Sequence, residues 1–393
     1  FVFFCRAILQ FIKQKGWEPH VIHCNDWQTG LIPCYLKTIY SNDEFLSHIA
    51  TVYSIHNVAY QGLFPKEKIP ALGLDEASAA NLALHGQISL AKSGIYYADY
   101  INTVSEAYAR EIQTAEYGYG LEEILQQRAA DLFGILNGID LEVWDPERDP
   151  NLKKKYSRHN IAGKAENKKH LQKNMKLPVK RDIPVIGIVS RLADQKGFDL
   201  LVEVMERLMQ LDIQMVILGT GEKKYHLELE TLRRKYPNKL AVALRFDPAL
   251  APQIYAGSDL FLMPSRYEPC GLGQLISFRY GAIPIVRQTG GLADTVSESN
   301  MVTAEGNGFV FEKYAADELF QAIGRALAAF KNKKAWSKLI HKVMAYDFSW
   351  DRSAKLYSAL YKKAWDKKAQ HFPQHFLARK ETQSESAGVP GRS

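Results

Sequence analysis

Residues 265–282, SRYEPCGLGQLISFRYGA, set a carboxylate (Glu268), a thiol (Cys270), two turn glycines (Gly271, Gly273) and a helix-forming run close together. Three chemistries use such parts: a nucleophilic cysteine, half of a metal site, or a cradle of backbone amides for an anion. A cysteine nucleophile needs a paired base, and no His stands near Cys270 in sequence, although a partner across the fold stays open. The four cysteines, at 5, 24, 34 and 270, include no CxxC pair, so neither a structural zinc site nor a disulfide framework is supported. An anion cradle asks only for free N–H groups at a helix start, which favour negative charge by ~0.3–1 kcal/mol through the dipole alone. Glu268 would repel phosphate but suits hydroxyls, such as those of a sugar. Phosphate-binding amides beside a hydroxyl-binding carboxylate describe a site for a sugar nucleotide.

Other candidates follow the same grammar. After IPVIGIVS comes RLADQKGFDLL, in which Arg191 leaves the strand end, Lys196 follows, and Gly197 opens a helix. Two cations above a helix start make a clamp for a diphosphate. RQTGGLADTV repeats the pattern with Thr289, Gly290 and Gly291. In the first half, HVIHCNDWQTG places Asp26 and Trp27 at a strand end, and SIHNVAYQG does so for His56 and Asn57. Asn137 and Gly138 form a turn in GILNGIDLEVWDP.

The elements that must position these residues are legible as runs. Strands are expected at 20–24, 50–55, 100–104, 183–190, 213–219, 240–246, 260–264 and 282–287, with helices such as 197–211 and 317–331 between them. Short, nearly continuous apolar strands separated by helices mean parallel sheets covered on both faces, which bind ligands at their carboxyl edges. The chain of 393 residues is long for one core, so two domains are expected. The polar, Lys-rich stretch 150–182 reads as their boundary. It gives an N-terminal domain over 1–175 and a nucleotide-sugar domain over 182–347, the latter with about five strands. A helix over 348–368 has its N-cap at Ser349 or Asp351, and 369–393 reads as a disordered tail. Residues 1–12 read as a buried amphipathic helix and not a signal peptide.

Composition excludes several classes. No apolar run reaches the ~18 residues of a membrane span. Few, scattered cysteines suit a reducing cytoplasm. The net charge of +7 comes with lysine clusters at 152–158, 331–338 and 361–368, read as solvated helix faces. Without interleaved stacking aromatics or a recognisable module, they give no basis for nucleic-acid binding.

Taken together, HCNDWQTG, TVYSIHNVAYQGLFP, ILNGIDLEVWDP, SRLADQKGFDLL, FDPALAPQIYAGSDLFLMPSRYEPCGLGQL and RQTGGLADTV resemble the bacterial and plant glycogen/starch synthases over about residues 17–365. The resemblance implies an α/β GT-B fold, with two Rossmann-like parallel-sheet domains facing a cleft and the final helix crossing back to the first. It implies transfer of glucose from ADP-glucose, less often UDP-glucose, to the non-reducing end of an α-1,4-glucan with retention. No cofactor or metal is expected. Carried over by position, Arg191 and Lys196 bind the departing diphosphate, Glu268 is the essential carboxylate, and Cys270, Gly271 and Leu272 lie against glucose or diphosphate. Gly273, Thr289 and Gly290 complete the binding turns. His56 is the histidine near the sugar 6-hydroxyl, Asp26 lies on the acceptor side, and Asn137 belongs to the cleft turn. The location implied is the bacterial cytosol, or the plastid stroma for a plant chain. Three departures stand out: no Lys-x-Gly-Gly-Leu loop precedes Phe1, so the N-terminal domain reads as incomplete, and Asn25 and Pro252 stand where histidines are common. Two alternatives stand beside this reading: an inactive paralogue or glucan- and nucleotide-binding relic, and another GT-B transferase such as a sucrose- or trehalose-forming one, which EPCGLGQL and YSIHNVAYQG disfavour.

Overall fold

A computed structural model describes residues 1–372 of the chain. The chain divides into two compact units, residues 1–136 with 353 onward, and residues 137–352.

Unit 1 is built on a parallel sheet in the order β1-β2-β6-β7. Its strands are β1 (Val21–Asn25), β2 (Ala50–Ile55), β6 (Tyr100–Thr103) and β7 (Leu132–Gly134). A small antiparallel sheet of β3 (Leu63–Pro65), β4 (Ala83–Leu84) and β5 (Gln87–Ser89) lies in the connection after β2. Every residue of β2 is buried, as the continuous apolar run ATVYSI requires of a central strand. The helix Trp350–His371 covers one face through Leu360 and Ala364, which join Ala50, Val52 and Ile135 in a core cluster. A polar layer fixes its register. Tyr361 Oη lies 2.8 Å from His23 Nδ1, His23 Nε2 lies 2.6 Å from Ser54 Oγ, Ser54 donates to Asn102, and Asn102 donates to Tyr357 Oη. Burial holds the His23 imidazole down to about 4, so the neutral ring serves in this layer.

Unit 2 carries six parallel strands in the order β10-β9-β8-β11-β12-β13. They are β8 (Val185–Val189), β9 (Gln214–Leu218), β10 (Leu240–Ala243), β11 (Leu260–Met263), β12 (Ile283–Arg287) and β13 (Phe309–Phe311). This is the doubly wound order 3-2-1-4-5-6, which reverses direction between β8 and β11.

Several expectations change. The units part at 136/137 and not within 150–182, so residues 137–175 do not belong to the first domain. The reason is packing: the helix Ala162–Asn174 lies against the helix Leu250–Gly257, where a Cβ on Gly257 would come within 2.7 Å of Leu171 Cβ. Tyr156 donates to the Tyr280 carbonyl at 2.7 Å, and Tyr280 donates to Asp149 at 2.6 Å. Lys164, a buried residue, donates to the carbonyls of Tyr255, Ala256 and Tyr280 at 3.4, 3.1 and 2.9 Å. The second sheet has six strands where about five were expected, because the three-residue edge strand β13 is too short to stand out. The final helix runs from Trp350 to His371, so residues 369–371 are helical, and from Ser353 onward it belongs to unit 1. Residues 373–393 of the expected tail lie outside the described residues. The first helix, Val2–Gln14, buries only the stripe Cys5, Leu9 and Ile12, leaving Phe3, Phe4 and Phe11 exposed. Nor are the lysine clusters wholly solvated: Lys368 is 5% exposed.

Candidate functional site

The reversal between β8 and β11 opens a pocket of about 250 Å³ in unit 2, lined among others by Ser190, Arg191, Lys196, Glu268, Leu272 and Gly273. Neighbouring connections leave in opposite directions at such a point, so the strand ends are uncovered there. Lys196 is placed by Gly197, whose φ of +76° lies in the left-handed region and whose Cβ would meet the Pro264 carbonyl oxygen at 2.0 Å. From there its Nζ donates to both Glu268 oxygens, at 2.8 and 2.6 Å. Glu268 is buried and also accepts from Ser265 Oγ at 3.0 Å. Arg191 is exposed at the rim, and its guanidinium donates to Gln195 Oε1 at 3.1 Å.

The turn itself is held from behind. Gly291 donates its N–H to the Glu268 carbonyl at 3.0 Å, and a Cβ on Gly290 or Gly291 would strike the carbonyls of Glu268 or Cys270. Thr289 and Gly290 are therefore buried against the turn and do not line the pocket. Gly271, at φ +71°, is followed by Gln274, whose Nε2 donates to the carbonyls of Cys270 and Gly271. Cys270 is buried, with the Asn137 backbone N–H beside its sulfur. Burial pushes its thiol up to about 12, the opposite of what a thiolate nucleophile requires. Leu272 is half-exposed in the pocket wall, and Gly273 starts the helix Gly273–Arg279.

Two features escaped sequence reasoning. Arg287 at the end of β12 is buried and donates to the carbonyls of Ser265, Arg266 and Glu312, clamping the chain where it leaves β11. Its place at a strand end is the signal that could have found it. Beyond Arg191 the surface continues into a mostly apolar chamber of about 740 Å³, with Trp144, Thr220, Phe246, Pro252 and Tyr255 among its walls. Pro252, which stands where a histidine is common, is thus a wall residue.

In unit 1, Asp26 and His56 come together at the ends of β1 and β2. Asp26 Oδ1 accepts the His56 backbone N–H at 2.9 Å, and His56 Nε2 lies 2.9 Å from Asn25 Oδ1. Asp26 holds φ 57°, ψ 178°, a region left almost wholly to glycine, which costs of order 1–3 kcal/mol. Such strain is found where surrounding structure fixes a side chain for use. Among the described residues no group of three or more His, Cys, Asp or Glu is placed to hold a metal ion, and no helix is long and apolar enough to cross a membrane.

Comparison with known proteins places this architecture. A model of the starch synthase catalytic domain matches residues 1–127, and one of group 1 glycosyl transferases matches residues 167–342. A glycogen synthase from Desulforudis audaxviator is 53% identical over 370 residues, covering 93% of this chain and 74% of the relative. One from Geotalea uraniireducens is 50% identical, with 94% and 76% covered. The catalytic domain of starch synthase IV from Arabidopsis thaliana, solved with ADP and acarbose, matches at TM-score 0.86 and 35% identity, over 93% of this chain and 77% of that one. Parallel sheets with ligand groups at their carboxyl edges, and these neighbours, define a GT-B glycosyltransferase. The chain belongs to the glycogen/starch synthase family, the hexosyltransferases of glucosyl transfer in glycogen and starch synthesis. The alternative of a sucrose- or trehalose-forming transferase gives way to relatives at this identity.

Proposed function

We propose that the chain transfers glucose from ADP-glucose to the non-reducing end of an α-1,4-glucan, with retention, in the cytoplasm. The observation that carries this reading is the Lys196–Glu268 pair in the pocket between β8 and β11. Lys196 and Arg191 neutralise the departing diphosphate, and Glu268 turns its oxygens to sugar hydroxyls. Leu272 and the amides around Gly271 and Gly273 contact glucose and phosphate, while buried Cys270, Thr289 and Gly290 hold the turn in shape. The apolar chamber beyond Arg191 has the size and character for the nucleoside. His56 serves the sugar and Asp26 the acceptor side. Catalysis rests on leaving-group electrostatics and orientation in a front-face displacement through an oxocarbenium-like state, with no protein nucleophile. In support, the Arabidopsis starch synthase of similar structure was solved with ADP and acarbose.

Labelled ADP-glucose and UDP-glucose, each offered with glycogen, test the reading. The expected result is incorporation from ADP-glucose at a higher kcat/KM than from UDP-glucose, with Lys196→Ala lowering turnover about tenfold or more. A UDP-glucose preference would overturn the donor, unchanged turnover in Lys196→Ala would overturn the clamp, and no incorporation from either would overturn the activity.

A further inference from the structure

The final helix carries a stripe at Leu360, Ala364 and Lys368, one residue every four, and all three are buried at 3%, 0% and 5% exposure. The first two meet the sheet of unit 1, and the third position calls for another apolar side chain. It holds a lysine. Its stem is buried in protein and the side chain borders the pocket described below. Among the described residues, no hydrogen bond or ion pair gives its ammonium an acceptor; its neighbours are the Phe372 ring, 5.4 Å away, and the charges of Asp99 and Lys37. The carboxylate of Asp99 is already engaged. One oxygen accepts from Lys37 Nζ at 2.6 Å, and the other accepts from the Thr51 N–H and hydroxyl at 2.8 and 3.0 Å.

Lys368 lines a pocket of about 810 Å³ at the amino-terminal edge of the sheet, where Asp99 precedes β6 and Asp131 precedes β7. Asp26 and His56 stand at the opposite, carboxyl edge. The pocket walls include Lys37, Arg128, Lys367 and Lys368 against Asp99 and Asp131, four cations to two carboxylates, a surplus of two positive charges. Asp131 is also spoken for, by Arg128 at 2.9 Å and Lys367 at 2.8 Å. Burying a charge whose nearest carboxylate is already engaged by other donors is costly, and that cost is lowered when an ion of opposite sign enters. We propose that this pocket binds a small dianion, the phosphate group of inorganic phosphate or of a small phosphate monoester, with Lys368 as its principal ligand and Lys37 and Lys367 beside it. Because the pocket lies at the sheet edge away from the strand-end candidates, its occupant is a ligand distinct from the donor and not a fragment of it.

The titration of Lys368 agrees with this. Burial pulls its ammonium down to about 8, Asp99 offsets part of that, and the like charge of Lys37 adds to it. Binding should therefore weaken as pH rises through 8. His371, Tyr96, Tyr97 and the two carboxylates also face the pocket, so a probe whose own charge is constant is needed.

The test is calorimetric titration of the full chain with inorganic phosphate, glycerol phosphate and sulfate, comparing wild type, Lys368→Met and Lys196→Ala. The expected result is saturable binding to wild type and to Lys196→Ala, with affinity for Lys368→Met about tenfold or more lower. Sulfate should bind more weakly at pH 9 than at pH 7 in wild type and in Lys196→Ala, and not in Lys368→Met. Tighter binding of glycerol phosphate than of phosphate would make the monoester the occupant, and the reverse would make it the free ion. Loss of binding in Lys196→Ala with retention in Lys368→Met would overturn the proposal, as would no binding to wild type. Thermal unfolding in phosphate-free buffer covers a folding failure. An unpartnered ammonium predicts that Lys368→Met is at least as stable as wild type, and a marked loss of stability would show that the ammonium is already satisfied.

Discussion

Lys164 and Lys196 belong to the same unit and are opposites. Lys164 is surrounded by protein and meets three carbonyls, a number that matches the three donors of an ammonium. The carbonyls come from the last turns of two helices, so the lysine ties those ends together. Burial pulls it down to about 7. Lys196 has a single carboxylate partner and a pocket on its other side. The difference teaches what a lysine is for. Neutral carbonyls on every side make a joint, whereas one carboxylate beside an open pocket makes a contact that an arriving diphosphate can share.

Substituting both residues breaks the comparison most sharply. Lys164→Ala leaves buried carbonyls without donors and should cost about 2–4 kcal/mol of stability in denaturant titration. Lys196→Ala, already expected to lower turnover, leaves the buried Glu268 carboxylate without its cation, but water can enter from the pocket, so it should cost less stability than Lys164→Ala. If both variants lose stability alike, the distinction between joint and contact fails. A smaller effect is expected from His23, which is neutral in the fold and charges only near pH 4. Between pH 6.5 and 4 the unfolded chain binds the extra proton, so stability falls as pH drops through this window and is fully present above it. Replacing His23 with Gln should flatten that acid limb in thermal scans, while an unchanged limb would place the acid sensitivity elsewhere. The smallest effect belongs to Cys270. Its thiol is pushed up, so Cys270→Ser should lower kcat only modestly, and alkylation at pH 7 should be slow. A trapped glucosyl-cysteine would reverse that reading.

Much of this is legible in the sequence alone. Strands such as ATVYSI and IPVIGIVS stand out because a sheet covered on both faces demands unbroken apolar runs, and the residues after IPVIGIVS and LFLMP line the pocket. The three-residue strands β7 and β13 carry too little periodicity to be seen. The unit boundary departs from its expected place for a physical reason. Composition marks 150–182 as polar, yet Lys164 finds three carbonyls and Asn167 Nδ2 donates to the carbonyls of Lys154 and Gly163, so polar residues there are satisfied inside the fold. Sequence motifs name Glu268 and Lys196, but not that they bond each other, since 72 residues of chain separate them.

Unit 1 is interrupted in the chain by the whole of unit 2. The surface formed by Ala50, Val52 and Ile135 waits for Leu360 and Ala364, which are synthesised more than two hundred residues later. During translation, unit 2 has all its strands available while the first sheet still exposes an apolar face. At ribosomal speeds of roughly 5–20 residues per second, that exposure lasts on the order of ten seconds or more. The inserted unit therefore has all its strands on hand before the first sheet receives the helix that covers it.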